Sequence, residues 1–259
     1  MAARDILDMS GRVALVTGAG TGLGARFCMA LAEHGAAVVA VARRADKVES
    51  VAADIVKGGG RAIAVSGDVT DSGSIARAFD AAEKAFGTVD AVVANAGIAV
   101  PGRAVETSDE DWRRTMATNL DGVFYTAREA AKRLLAAGKP GSIVNIASIL
   151  GYGVSKGNAS YAVSKAAVVQ MTQALAIEWA FKGIRVNAIA PGYVITDINR
   201  DYLTEGRGRE MARDIPVGRF GQEHDLDGAL LLLLSEAGSF MTGTTITVDG
   251  GHRIGLRGV

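Results

Sequence analysis

The chain has 259 residues, and 28 Lys plus Arg balance 28 Asp plus Glu. A zero formal charge gives no basic excess of the kind that holds nucleic acid, and one cysteine, Cys28, rules out an intramolecular disulfide. The N-terminal "MAARDILDMSGR" lacks the apolar core of a signal peptide, and the apolar run "ALLLLL" at 229–234 is too short for a membrane span. These features predict a soluble protein of a reducing, cytoplasmic compartment with neither nucleic acid nor membrane as partner.

Short, almost continuously apolar runs recur along the chain with helical stretches between them. The first, "VALVT" at 13–17, leads into "TGAGTGLG" at 17–24. Gly18, Thr21, Gly22, Leu23 and Gly24 then open a helix. Glycines there permit a sharp turn and close approach of a pyrophosphate to the backbone, and a helix N-terminus offers free N–H groups and a positive dipole end. A glycine loop alone is weak evidence, but its place after the first strand strengthens it.

The second run, 37–42, ends in "VARRADK". A dinucleotide site that uses NAD usually carries a carboxylate here, on the ribose hydroxyls. Ala42 stands in that place and Arg43 and Arg44 follow, so a 2′-phosphate meets guanidinium groups instead of a repelling charge. The residues therefore favour NADP(H), with NAD(H) possible. A merely solvated arginine pair would read the same way locally.

The third run, 62–66, is followed by "GDVTD", in which Asp68 or Asp71 can serve a turn or cap a helix. The fourth, 91–95, ends in "ANAG" with Asn95, Ala96 and Gly97. A helix is predicted over about 110–137, with Asn119 in its middle. The fifth run, 142–147, precedes Ser148. A second long helix is predicted over about 160–182, apolar on more than one side through Val168, Val169, Met171, Leu175, Ile177, Trp179 and Phe181. It begins with "SYAVSK". Residues four apart share a helix face, so Tyr161 and Lys165 point the same way. An ammonium about 4 Å from a phenolate, at an effective dielectric of about 20, attracts it by about 4 kcal/mol before desolvation. On that reasoning the phenol drops below its ordinary value near ~10 and works as a general acid and base. The sixth run, 185–190, leads into "PGYVIT", then a polar and charged segment, and a last run at 244–248.

Alternating β and α segments imply an α/β fold: a doubly wound parallel sheet of Rossmann type, in one domain over 1–259, with helices on both faces. The spacing Gly18, Gly22, Gly24 after Thr17, with "ANAG", Ser148, "YAVSK" and "PGYVIT" in that order, resembles the short-chain dehydrogenase/reductase family, in its common subgroup of about 250 residues. The resemblance covers about residues 7–252.

It implies an oxidoreductase that interconverts a ketone and a secondary alcohol. Tyr161 would move the proton and Ser148 would hold the substrate oxygen. Lys165 would bind ribose and support the phenol, and Asn119 would bend its helix and anchor a water. The resemblance also places Asp68 and Val69 at the adenine and Asn95, Ala96 and Gly97 beside the ribose. Pro191 and Gly192 would turn the chain under the nicotinamide, and Val194 (by its backbone) and Thr196 (by its hydroxyl) would hold its carboxamide. It makes about 193–217 a substrate lid and the protein a homotetramer. Ile149, Gly151, Tyr152, Asn158, Tyr193 and Tyr202 are candidate substrate contacts. Two departures from relatives that reduce 3-oxoacyl thioesters on carrier proteins stand out: the segment after "NAG" is apolar then acidic, and "KGNAS" precedes the tyrosine. A polyol or sugar-acid dehydrogenase using NAD stays open. No ligand spacing for a metal appears among the three histidines.

Overall fold

The computed structural model describes residues 6–196, 199, 203 and 207–255. Strands β1 (Val13–Thr17), β2 (Ala37–Ala42), β3 (Arg61–Ser66), β4 (Ala91–Ala94), β5 (Gly141–Ile146) and β6 (Ile184–Pro191) alternate with helices. The helices are α1 (Gly22–Glu33), α2 (Ala45–Lys57), α3 (Ser72–Phe86), α4 (Asp109–Met116), α5 (Gly122–Ala137) and α6 (Ala159–Trp179). A short pair, β7 (Val194–Ile195) and β8 (Gly221–Gln222), brackets helix α7 (Arg207–Arg213), and α8 (Asp227–Leu234) precedes β9 (Thr245–Val248).

The seven-stranded sheet has the order β3-β2-β1-β4-β5-β6-β9, and every pairing is parallel. Strand residues alternate between its faces. Ala14 and Val16 pack with Phe27 and Leu31 of α1, Val48 of α2 and Leu231 of α8. Their neighbours Val13 and Leu15 pack on the other face with Phe79 of α3, Leu134 of α5 and Trp179 of α6. Both faces are thus covered, which is why these strands read as unbroken apolar runs. Phe27 is fully buried, and its truncation to alanine would cost about 3–5 kcal/mol.

The chain runs outward from β1 to β3 and then returns to β4 on the other side of β1. This reversal opens a crevice at the carboxyl ends of β1 and β4, the usual place for a ligand in such sheets.

The helix expected over 110–137 is interrupted. Residues Ala117–Asp121 form a π-helical turn between α4 and α5, and it carries the fully buried Asn119. Such turns widen a helix by one residue and redirect a side chain. The second long helix ends at Trp179 and finishes as a 3-10 turn over Ala180–Lys182. Ile177 and Phe181 are 81% and 78% exposed on this chain, so its outer apolar face is bare. No helix among the described residues is long and apolar enough to cross a membrane.

Candidate active site

At the crevice, β1 passes into the glycine loop. Gly18 and Gly22 take left-handed backbone angles, φ +66° and +57°, which side chains disfavour. Gly24 has a different reason to be glycine: a Cβ there would lie 2.1 Å from the Gly18 carbonyl oxygen. Gly24 therefore lets α1 pack on the loop, while Gly18 lets the loop touch Ala96. Asn95 ties this corner down: its Nδ2 donates to the Thr17 and Gly18 carbonyls at 2.9 and 3.3 Å. The Asn95 and Ala96 N–H groups donate to the Thr17 hydroxyl at 3.1 and 3.3 Å. Thr21 stands at the N-cap of α1 without a side-chain capping bond, so its hydroxyl leaves the helix N-terminus to a ligand.

An outer cleft of about 540 Å³ lies along this loop. Gly18, Gly20 and Thr21 form one side, and Arg43, Arg44, Asp68 and Val69 form the other. Both arginines are exposed and have no carboxylate partner among the described residues. Asp68 accepts from the Thr70 N–H and hydroxyl, both at 2.9 Å, through one oxygen, and Asp71 caps α3 through Gly73 N–H at 2.8 Å. The turn and cap roles open to these two aspartates are thus both present. Val69 packs against Gly122, where a Cβ would lie 2.7 Å from its methyl.

Gly97 and Ile98 also line the inner cavity, of about 420 Å³. Ser148, Tyr161 and Lys165 stand on its wall, with Pro191, Gly192, Val194 and Thr196 at its far side. Asn119 does not line it; it holds the wall from behind. Its Oδ1 accepts from the Ile98 N–H at 2.8 Å, and its Nδ2 donates to the Ile98 carbonyl at 2.9 Å and the Ser164 hydroxyl at 3.1 Å. Ser164 in turn donates to the Tyr161 carbonyl at 2.7 Å. The π turn thus fixes the strand end that carries Gly97 and the helix that carries Tyr161.

Lys165 is 3% exposed, and its Nζ donates to the Ile146 carbonyl at 2.7 Å. Burial lowers its pKa from 10.5 to about 8. Burial pushes the Tyr161 phenol above its ordinary pKa; the nearby Ser148 side chain draws it down by less, and Tyr193 pushes it up as well. The downward shift expected from the lysine is therefore absent. Nζ lies 5.7 Å from the phenol ring centroid, and an ammonium that deprotonates near pH 8 has no charge left where a buried phenol titrates.

The candidate substrate residues divide. Ile149, Asn158 and Tyr193 line the inner cavity. Gly151 and Tyr152 line a neighbouring apolar pocket that shares Leu150 and Asn158 with it, so the structure does not bring them to the wall of Ser148, Tyr161 and Lys165. Gly151 lies against α6, where a Cβ would be 2.9 Å from the Lys165 carbonyl oxygen, and the Arg253 guanidinium covers the Tyr152 ring at 4.5 Å. Tyr202 lies outside the described residues, as do 197, 198, 200, 201 and 204–206 of the expected lid. Leu203 and Ile215 of that segment form a small buried cluster with Phe220 and Tyr193. Sequence reading missed Ile98, the backbone partner of Asn119, and Asn199, which lines the cavity; neither belongs to a motif. No group of three or more His, Cys, Asp or Glu suited to a metal ion occurs among the described residues.

The glycine loop at the switch point thus adjoins a cavity walled by Ser148, Tyr161 and Lys165. The chain belongs to the short-chain dehydrogenase/reductase family. A family profile described as enoyl-(acyl carrier protein) reductase matches residues 18–253. The chain is 41% identical to cis-4-hydroxycyclohexanecarboxylate dehydrogenase of Sinomonas cyclohexanicum, over 93% of this chain and 96% of that one. It is 39% identical to galactitol 2-dehydrogenase (L-tagatose-forming) of Cereibacter sphaeroides, over 97% and 98%. Its fold matches a gluconate 5-dehydrogenase from Burkholderia cenocepacia J2315 in complex with NADP and tartrate, with a TM-score of 0.91, 36% identity and coverage of 96% and 97%. The protein is an NAD(P)-dependent dehydrogenase/reductase that acts on CH–OH groups.

Proposed function

We propose that the protein interconverts a small secondary alcohol and its ketone, with preference for NADP(H). The observation that carries this is the meeting of Ser148, Tyr161 and Lys165 on the wall of a cavity that adjoins the glycine loop. The substrate class we favour is a polyol, a sugar acid or a hydroxylated ring, as the names of the relatives indicate.

In the outer cleft, Arg43 and Arg44 hold a 2′-phosphate and Asp68 meets the adenine. Asn95, Ala96 and Gly97 flank the ribose. Val194 and Thr196 hold the carboxamide at the other end. The bound nicotinamide supplies the hydride chemistry. The rest falls to the side chains. Ser148 holds the substrate oxygen. For oxidation, Tyr161 takes the proton from the alcohol O–H as the C–O bond becomes a carbonyl. For reduction, it returns that proton to the carbonyl oxygen. A phenol held above its ordinary pKa keeps its proton at neutral pH, which suits reduction. Alcohol oxidation is expected to accelerate as pH rises. Lys165 supplies positive charge below about pH 8, and Asn119 keeps the wall in register.

The bare apolar residues Ile177 on α6 and Phe181 on the turn that ends it support a homotetramer. The buried thiol of Cys28 is compatible with a cytoplasmic location. NADP-dependent turnover of purified protein, measured with galactitol, gluconate and a hydroxycyclohexane beside acetoacetyl-CoA reduction, tests the reading. Turnover confined to the alcohols supports it. Fast turnover of the thioester would replace it with the 3-oxoacyl reductase reading, and inactivity with every NADP and NAD couple would sink both.

A further inference from the structure

Backbone groups that bind a ligand raise a problem for the protein without it. A part-buried N–H or C=O left unpaired costs about as much as a lost hydrogen bond. In this chain the turn after β7 solves it with a side chain. Asn199 Oδ1 accepts from the Thr196 N–H at 2.7 Å, and its Nδ2 donates to the Val194 carbonyl at 2.9 Å. Both contacts are part-buried, and Asn199 lines the same inner cavity as Val194 and Thr196.

An asparagine side chain ends in a primary carboxamide, with one acceptor oxygen and an NH₂ donor. Nicotinamide carries the same group. The proposed reading assigns the cofactor carboxamide to the Val194 backbone and to Thr196, and the inference below rests on that assignment. The Val194 carbonyl is then wanted by two carboxamides, one tethered and one free. The tethered one has the advantage of proximity, since it sits three residues beyond Thr196.

We infer that Asn199 is an internal competitor for the nicotinamide end of the cofactor. It holds the Val194–Thr196 turn in the free protein and gives up the Val194 carbonyl when the cofactor binds. Its main-chain carbonyl also accepts from the Leu203 N–H at 2.9 Å, and Leu203 is buried beside Ile215 and Phe220. The exchange at Val194 therefore reaches the small cluster that flanks the cavity. Cofactor binding is weakened by the bonds it must replace, and product cofactor is correspondingly easier to release.

The test compares two ligands, NADPH and 2′-phospho-ADP-ribose, the latter lacking nicotinamide. Both dissociation constants are measured for the wild type, Asn199→Ala and Asn199→Asp. Wild-type binding of both ligands upholds the cofactor reading; binding of neither would remove that reading and this inference with it. If Asn199 competes, the alanine variant binds NADPH about tenfold tighter and the fragment unchanged. The aspartate variant keeps an acceptor for Thr196 but no donor for Val194, so it gains less. Weaker or unaltered NADPH binding by the alanine variant overturns the competition, and so does an equal shift for both ligands, which marks a purely structural role.

Discussion

The outer cleft and the inner cavity share Gly97 and Ile98, yet they are built from opposite materials. The outer cleft is made of missing side chains and exposed charge: Gly18 and Gly20 on one side, Arg43 and Arg44 on the other. The inner wall is made of buried polar groups that are tied to the backbone. Lys165 donates to the Ile146 carbonyl, Asn119 grips Ile98, and Ser164 reaches the Tyr161 carbonyl. The consequence is electrostatic. The exposed arginines act in solvent, where salt screens them. The buried lysine and tyrosine have their proton affinities set by desolvation. On the proposed reading one region recognises the cofactor; the other is tuned by burial, and the tuning is lost if water enters.

The largest expected effect is on the tuned side. Tyr161→Phe should lower kcat by at least about 10³-fold while NADPH binding, read by fluorescence titration, changes little. A variant that retains most of its activity would break the contrast between recognition and chemistry. Next comes the loop between the two regions. Gly24→Ala places a methyl group against the Gly18 carbonyl, and the loop has to shift. A loss of about 2–3 kcal/mol in chemical denaturation, with cofactor affinity reduced at the same time, is the expected result. On the recognition side, Arg43→Ala should raise the KM for NADPH by about 10–100-fold and leave NADH nearly unaffected. Equal changes for the two cofactors would show that the guanidinium does not read the 2′-phosphate.

The smallest effect is the most diagnostic of burial. Lys165 has its pKa depressed from 10.5 to about 8 in the folded chain. Below pH 8 both folded and unfolded chains carry the charge, and the folded state bears the whole desolvation cost, on the order of 3 kcal/mol. Between pH 8 and 10.5 the folded state binds fewer protons, so this cost fades as pH rises. Lys165→Met should therefore be inactive yet no less stable than wild type at pH 7. At pH 10 it should melt below wild type, because the Ile146 carbonyl has lost its donor. A variant that melts well below wild type at pH 7 would mean that the buried ammonium stabilises the fold.

Much of this was legible from the chain alone, for reasons that are local. Strand runs covered on both faces show as unbroken apolar letters, so the seven strands of the main sheet were readable along the chain to within a residue or two, though their order in the sheet was not. The Tyr161–Lys165 pair was readable because i and i+4 share a helix face. The glycine loop was readable because its turn needs left-handed backbone at Gly18 and Gly22. Periodicity predicted one helix through 110–137; the bend at Asn119 came only from the family resemblance, and its form, a π turn at Ala117–Asp121, was not legible. Its cause is a partner 21 residues upstream, Ile98, which holds the Asn119 side chain at both ends.

The same distinction separates what the sequence determined from what only the tertiary structure decided. Sequence determined the alternation of elements, the positions of Ser148, Tyr161 and Lys165, and the arginines in place of a carboxylate after β2. The alternation, the Tyr161–Lys165 pair and the arginines follow from periodicity, spacing or residue type; Ser148 stood out through the family resemblance. Tertiary structure decided that Tyr161 is pushed up and not down, that Gly24 serves packing, and that Gly151 and Tyr152 face a second pocket. It also decided that Asn199 occupies the Val194 carbonyl. Those outcomes depend on which atoms from distant segments share a dry space, and the free energy of a charge or a hydrogen bond is set by that space.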